Sequence, residues 1–92
     1  MELSIGRRIM KKKEIVIGRF QNTYDNPYAE LVNAACAYQS EIHLDYEAKH
    51  INAKSIMGIL AFDVASGAKV AISAEGKDEE EAVLGMEEFL AR

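Results

Sequence analysis

The order of apolar and polar side chains predicts four strands. In three stretches apolar residues alternate with polar ones, which is the period of a strand with one buried face. A shorter strand is expected after a turn around Ala48 and Lys49. The predicted strands begin at Glu14 and cover residues 41–47, 50–52 and 69–75, with inward residues Ile15 and Ile17, then Ile42, Leu44 and Tyr46, then Val70, Ile72 and Ala74.

Helices are predicted between and after these strands. Pro27 fits the first turn of a helix that runs to residue 38 and is capped by Asp25 or Asn26. We expect Cys36, which lies among alanines, on its buried face. The last helix should open with a capping box over residues 78–81. The expected inward stripes are Leu31, Ala34 or Ala35, and Tyr38 in the first helix, and Ala82 or Val83, Met86, and Phe89 or Leu90 in the last.

A short helix is expected after Ser55, and it has more apolar surface than one helix face can bury. Ser55 is placed as an N-cap, whose hydroxyl accepts a backbone N–H two or three residues on. The residues that follow are Ile56, Met57, Gly58, Ile59 and Leu60. Part of this surface should therefore face water. Two interpretations stay open: an ordinary capped turn, or a contact surface that a phosphate on Ser55 could switch.

The predicted order is β-α-β-β-α-β-α. Strands of this length, joined by short turns or single helices, favour an α+β open-faced sandwich in which helices cover one face of a four-stranded antiparallel sheet. Residues 1–11 are interpreted as an N-terminal extension, and residues 12–92 as one domain.

Composition narrows the classes of function. The net charge is −4 and the pI is near 5.1, which argues against a nucleic-acid binder, because such proteins need basic surface to neutralise phosphates. The single cysteine cannot form an internal disulfide. The acidic charge therefore favours protein partners. No apolar run reaches the length of a membrane span, and we expect a cytoplasmic protein.

Residues suited to metal or acid–base chemistry are few. His43 and His50 come from neighbouring strands and could approach each other across a hairpin, but two histidines without a third ligand predict no metal site. The acidic residues 78–81 are explained by helix capping, and no glycine-rich phosphate loop is present in the sequence. We therefore expect no cofactor and no enzymatic activity.

Three segments resemble HPr, the histidine-containing phosphocarrier of the bacterial sugar phosphotransferase system. They are NAKSIMG (residues 52–58), SGAKV (66–70) and AEGKDEEEA (74–82). The resemblance covers roughly residues 12–91 and includes the element order. It implies that Ser55 is the serine phosphorylated by the ATP-dependent HPr kinase/phosphorylase. It further implies that Ile56, Met57 and Leu60 form the apolar surface that docks partners.

The sequence departs from the other half of the HPr signature. The phosphocarrier histidine of that family lies in a Gly-Leu-His-Ala-Arg-Pro-Ala motif. Anchored on Pro27, the histidine position holds Tyr24 and the arginine position holds Asn26. Asp25 adds a carboxylate that would repel a phosphoryl group at the start of the helix.

The resemblance therefore implies a regulatory protein that keeps the serine site and lacks the active histidine, as in catabolite-repression HPr-like proteins. Such proteins act with a LacI-type transcription factor. Two alternatives remain: an interaction domain that works without phosphorylation, and a modified phosphotransfer protein that uses Tyr24 or Asp25.

Overall fold

The computed structural model describes residues 11–62 and 64–92. Within them the chain forms the predicted order of elements, with an additional 3-10 turn at Phe20–Asn22. The predicted extension falls outside these residues, except for Lys11. The elements are β1 (Lys11–Val16), α1 (Pro27–Cys36), β2 (Glu41–Tyr46), β3 (Lys49–Asn52), α2 (Ile56–Leu60), β4 (Lys69–Glu75) and α3 (Glu79–Leu90).

The strands form one antiparallel sheet in the order β1-β4-β2-β3 across the described ranges. Ile15 pairs with Val70, and Leu44 pairs with Ile72, so the apolar residues of neighbouring strands share one face. All of the predicted inward residues of the strands are buried except Tyr46, which is half-buried. The predicted α+β sandwich is confirmed, with helices packed on this apolar face.

Strand β1 begins three residues before its predicted start at Glu14. Lys11, Lys12 and Lys13 pair with β4, and their ammonium groups reach Glu80, Asp45 and Glu87. These side chains are exposed, so the segment lacks the apolar alternation that reveals a strand.

The helices fill the space above the sheet with the predicted stripes. Leu31 and Ala35 of α1 are buried, whereas Tyr38 lies beyond the end of the helix and is half-buried. The Tyr38 hydroxyl lies over Gly85, where a β-carbon would be 1.9 Å away. The buried residues of α3 include Ala82, Val83, Met86, Phe89 and Leu90. No helix in the described part of the chain is long and apolar enough to span a bilayer.

The prediction that Cys36 is buried was wrong, because its side chain is exposed. The buried stripe of α1 passes through Leu31 and Ala35. Each residue of an α-helix is rotated about 100° from the one before it, which places Cys36 on the outer face.

The predicted capping box at the start of α3 was also wrong. Asp78 is the N-cap residue, but its side chain makes no capping hydrogen bond. Its carboxylate instead accepts hydrogen bonds from the backbone N–H groups of Gln39 and Ser40, both at 2.9 Å, and from the Ser40 hydroxyl. The carboxylate of Glu79 turns back to accept the N–H of Gly76 at 3.0 Å. Asp78 thus joins the start of α3 to the α1–β2 connection.

Close packing at this junction depends on glycine. Gly76 has a φ of +152°, and a β-carbon there would lie 2.7 Å from Ser40. Ser40 is buried, so the Asp78 carboxylate satisfies polar groups that water reaches poorly.

We expect Asp78→Asn to destabilise the protein near neutral pH and to matter less in acid. Hydrogen bonds from the Ser40 hydroxyl and the Gln39 amide hold the pKa of Asp78 below its ordinary value of 3.8. A carboxyl whose pKa is lowered by folding stabilises the native state above its unfolded pKa, and this contribution disappears as pH falls through the folded pKa. Urea unfolding of the original protein and the variant, from neutral pH down into acid, measures this contribution to the free energy of unfolding. Glu81→Gln, on an exposed position of α3, is the matched control; equal effects of the two substitutions would contradict the role of Asp78.

Candidate functional site

Ser55 occupies the N-cap of α2, as predicted. Its hydroxyl oxygen accepts the backbone N–H of Gly58 at 3.2 Å. The preceding turn fixes its position: the Asn52 side chain accepts the N–H of Lys54 at 2.9 Å, and the Asn52 carbonyl accepts the N–H of Ser55 at 3.1 Å. Ser55 itself is half-buried. Its hydroxyl therefore lies at a helix start that is rigidly held yet open to water.

Gly58 is part of this site, although its role was not predicted from the sequence. It supplies the N–H that Ser55 caps. A β-carbon at this position would lie 3.2 Å from Cγ2 of Ile51 and 3.6 Å from the β-carbon of Ser55. Glycine thus allows the first turn of α2 to approach β3 closely. The signal in the sequence was a glycine inside an otherwise apolar helical run.

The predicted apolar surface on α2 is exposed. Ile56, Met57 and Leu60 have 46%, 79% and 67% of their surface accessible, whereas Ile59 is fully buried. We call the three exposed residues the α2 patch. Ile59 is the side chain through which α2 packs into the core, and the α2 patch lies in water beside it.

Two lysine side chains near the ends of α2 donate hydrogen bonds to backbone carbonyls. Lys54 donates to the carbonyl of Tyr38 at 2.7 Å, and Lys49 donates to the carbonyl of Ala61 at 3.3 Å. Ala61 is the C-cap of α2, so the Lys49 ammonium group lies at the negative end of the helix. The α2 patch therefore belongs to a helix with a cationic side chain near each end.

Tyr24 lies in the loop before α1, packed against the end of α3. Its ring is stacked on Phe89, with centroids 5.1 Å apart and an interplanar angle of 6°. Its hydroxyl accepts a hydrogen bond from Nη1 of Arg92 at 3.0 Å. Phe20 packs beside the same Phe89 ring at 5.5 Å. The phenol is therefore held by both its ring and its hydroxyl.

The start of α1 is capped by Asn26, one of the two predicted candidates. Its side-chain oxygen accepts the N–H of Ala29 at 3.4 Å. Asp25 is exposed and does not serve as the cap. The amide of Asn26 thus uses one of the N–H groups that this helix start could offer to an anion.

The two histidines lie on the face of the sheet opposite the helices. His43 and His50 stack with ring centroids 4.5 Å apart, which confirms that they meet across the β2–β3 hairpin. Nδ1 of His50 contacts the carboxylate of Asp45. Among residues 11–62 and 64–92, no three histidine, cysteine, aspartate or glutamate side chains are arranged to hold a metal ion.

Comparison with known proteins identifies the family. The family described as "PTS HPr component phosphorylation site" matches residues 11–92. The chain belongs to the HPr family. The expectation from residues 52–58, 66–70 and 74–82 is thereby confirmed, and the protein is related to the sugar phosphotransferase system. Members of this family act through contacts with protein partners.

Solved structures show the same fold. The phosphocarrier protein HPr from Bacillus anthracis matches with a TM-score of 0.75 and 27% identity, over 88% of this chain and 96% of that chain. HPr-C-His from Thermoanaerobacter tengcongensis matches with a TM-score of 0.75 and 37% identity, over 87% and 90%. Crh, the catabolite repression HPr of Bacillus subtilis, matches with a TM-score of 0.65 and 28% identity, over 89% and 98%. The chain is thus similar both to phosphocarriers and to Crh.

We expect Tyr24→Ala to cost about 1–3 kcal/mol of stability, because it removes both a stacked aromatic pair and the area buried with it. Tyr24→Phe keeps the ring and loses one partly exposed hydrogen bond, so it should cost less than about 1 kcal/mol. Arg92→Ala should resemble Tyr24→Phe, and the two changes should not add in a double-mutant cycle measured by urea unfolding. Equal costs for the alanine and phenylalanine variants would show that the Tyr24 ring is not packed on Phe89.

Proposed function

We propose that this HPr-family chain is a non-catalytic regulatory protein of carbon metabolism, switched by phosphorylation at Ser55. It acts through protein–protein contacts and does not carry phosphate on a histidine. The observation that carries the proposal is the position of the Ser55 hydroxyl, which caps α2 directly beside the exposed α2 patch.

A phosphate on Ser55 suits this position. The first N–H groups of a helix lack intrahelical partners, and the helix dipole favours negative charge there, by about 0.3–1 kcal/mol at an exposed site. The phosphate would replace the hydroxyl as acceptor for the N–H of Gly58, so the fold need not change. The main consequence of phosphorylation is a dianion next to exposed Met57 and Leu60.

Such a surface offers a partner two kinds of contact. The α2 patch supplies an apolar anchor, and the phosphate supplies an acceptor for arginine. The proposed partners are the HPr kinase/phosphorylase, which must reach Ser55, and a LacI-type transcription factor, by analogy with catabolite-repression HPr. Both partners imply that the protein works in the cytoplasm, with no direct contact to nucleic acid or membrane.

The chemistry of the Tyr24 phenol supports the rejection of a carrier role. A carrier needs a group that accepts a phosphoryl group and releases it readily, whereas a phenol forms a stable ester. His43 and His50 cannot replace it, because they lie on the opposite face of the sheet from the start of α1. The modified relay through Tyr24 or Asp25 is therefore the weaker alternative.

A second candidate function is an interaction domain that uses the α2 patch without phosphorylation. The exposure of Met57 at 79% favours this candidate independently of Ser55. The two candidates differ in whether a kinase modifies Ser55 and in whether the phosphate changes partner affinity.

Treatment with ATP and an HPr kinase/phosphorylase should add one phosphate, at Ser55. Ser55→Ala should abolish the added mass, and it should remain folded at a cost of about 0.5–2 kcal/mol for the lost cap. Ser66→Ala is the control, because Ser66 is an exposed serine whose hydroxyl also makes a hydrogen bond to the backbone, donating to the carbonyl of Gly18. Peptide mapping locates the phosphate.

A second experiment uses phosphoenolpyruvate as the phosphoryl donor and tests the alternative relay. Incubation with labelled phosphoenolpyruvate and the first enzyme of the phosphotransferase system should leave no label on the chain, whether acid-labile or acid-stable. Stoichiometric label would contradict the proposal in favour of the relay, and no phosphate from an active kinase would favour the interaction domain.

Replacing the α2 patch should separate partner binding from folding. Met57→Ser with Leu60→Ser should change stability by no more than about 0.5 kcal/mol, because both side chains are exposed. It should weaken binding of the HPr kinase/phosphorylase by more than about tenfold, because exposed apolar anchors dominate such interfaces. Leu84→Ser is the control, since Leu84 is 60% exposed on α3. An equal loss of binding in the control, or no loss in the double variant, would place the docking surface elsewhere.

A further inference from the structure

Helix α2 is too short to hold Ser55 in place on its own. It spans the five residues Ile56–Leu60, and Ile59 is its buried residue. A segment of this length does not form a stable helix in water without tertiary contacts. The direction of the Ser55 hydroxyl therefore depends on how the chain before α2 is attached to the rest of the protein.

The side chain of Lys54 makes such an attachment. The backbone is tied to the sheet as far as Ala53, whose N–H donates to the carbonyl of Ile42 at 2.9 Å. The hydrogen bonds that Asn52 accepts are local and fix only the shape of the turn. Lys54 instead donates from Nζ to the carbonyl of Tyr38 at 2.7 Å, in the segment between α1 and β2. It thereby joins the turn before α2 to another part of the fold.

The end of α1 is a favourable acceptor for this ammonium group. Tyr38 follows the C-cap residue Ala37, and its own N–H donates to the carbonyl of Ala35 at 3.2 Å. Carbonyl groups at the end of a helix lack intrahelical partners and lie at the negative end of the dipole. A cation beside the start of α2 gains nothing from α2, whose first turn is its positive end. The contact of Lys54 is therefore explained by α1 and not by the capping of α2.

Tyr38 is itself held firmly, so the hydrogen bond from Lys54 has a fixed end. The Tyr38 hydroxyl lies over Gly85 of α3. The next two backbone N–H groups both donate to the carboxylate of Asp78, at 2.9 Å. Lys54 thus connects the turn before α2 to the junction at which α1, β2 and α3 meet.

Phosphoryl transfer depends on the direction of the accepting hydroxyl. In kinases the attacking oxygen and the leaving oxygen lie roughly in line with the phosphorus, and catalysis comes mainly from positioning and electrostatic stabilisation. A misplacement of about 1 Å in the reacting groups lowers a rate by about a hundredfold. A loose turn before α2 would spread the Ser55 hydroxyl over several directions, even with the α2 patch docked.

We propose that Lys54 is a positioning residue for the phosphorylation of Ser55. Its hydrogen bond to the carbonyl of Tyr38 fixes the turn before α2, so that the hydroxyl meets the kinase in one orientation. This inference deepens the proposed function and rests on it, since the kinase is the HPr kinase/phosphorylase. Lys54 acts through the turn, whereas the α2 patch provides the docking contact. Loss of the Lys54 ammonium group should therefore lower kcat, and loss of the α2 patch should raise KM.

Steady-state phosphorylation of the full-length protein tests this role. Lys54→Met keeps the apolar stem of the side chain and removes the ammonium group, so kcat should fall about tenfold while KM stays within about twofold. Lys54→Arg keeps a cationic donor and should recover most of kcat. Lys49→Met is the matched control, because Lys49 donates to a carbonyl at the other end of α2 and carries the same charge. It should change kcat by less than about twofold.

Three kinetic results would overturn the proposal. The first is an unchanged kcat in Lys54→Met. The second is a rise in KM alone, which would show that Lys54 contacts the kinase directly. The third is an equal fall of kcat in Lys49→Met, which would show an effect of net charge on the reaction.

Hydrogen exchange tests the positioning without a kinase. The N–H of Gly58 donates to the Ser55 hydroxyl and exchanges when that cap opens. Lys54→Met should speed the exchange of this N–H about tenfold. Exchange at Ile72, which is buried on β4, should not change. Unchanged exchange at Gly58, or an equal increase at both positions, would overturn the positioning role.

The two experiments distinguish failure of this inference from failure of the proposed function. An active kinase that leaves the original protein unmodified would overturn the proposed function and the role of Lys54 in phosphorylation. Exchange at Gly58 would then show separately whether Lys54 holds the cap. Phosphorylation of Ser55 with the same kcat in Lys54→Met would overturn this inference alone.

Discussion

Burial of one face of the sheet is the constraint on which the rest of the structure depends. Val70 and Ile72 on β4, together with Leu44 on β2, form the apolar surface that α1 and α3 cover. The short helix α2 contributes Ile59 to the same core. Its other apolar side chains lie in water, and the Ser55 cap lies next to them. The candidate docking surface follows from how the core is filled.

Under the proposed function, the protein keeps the serine site of the HPr family and lacks its histidine site. At the start of α1, the Tyr24 phenol is stacked on Phe89 and hydrogen-bonded to Arg92, and Asn26 caps the helix. Those contacts stabilise the loop. The side chain that they hold is a phenol and not an imidazole that could accept a phosphoryl group. At the start of α2, the Ser55 hydroxyl retains a geometry that suits phosphate. We therefore infer that this chain receives a signal at α2 and does not relay phosphate at α1.

Much of the fold could be predicted because alternation and helical periodicity record burial directly. The phase of α1 could not, since Ala34, Ala35 and Cys36 differ too little in size and polarity to show which one faces the core. The contacts of Asp78 could not be predicted from the sequence either. Helix capping and a tertiary bond to Ser40 require the same carboxylate, and the choice depends on where the α1–β2 connection ends. The Ser55 cap was predictable because capping is local, whereas the stacking of Tyr24 on Phe89 joins distant parts of the chain.

The chemistry of the phosphate on this protein, isolated from the cells that make it, tests the central claim most directly. A phosphoserine is stable in acid and in hydroxylamine and is removed by strong base. A phosphoryl group on a histidine is lost in acid, and one on a carboxylate is cleaved by hydroxylamine. We predict a phosphate that is stable in acid and in hydroxylamine, labile in base and located at Ser55 by mass spectrometry. A phosphoryl group that is labile in acid or in hydroxylamine, or a base-stable phosphate at Tyr24, would contradict the proposed function.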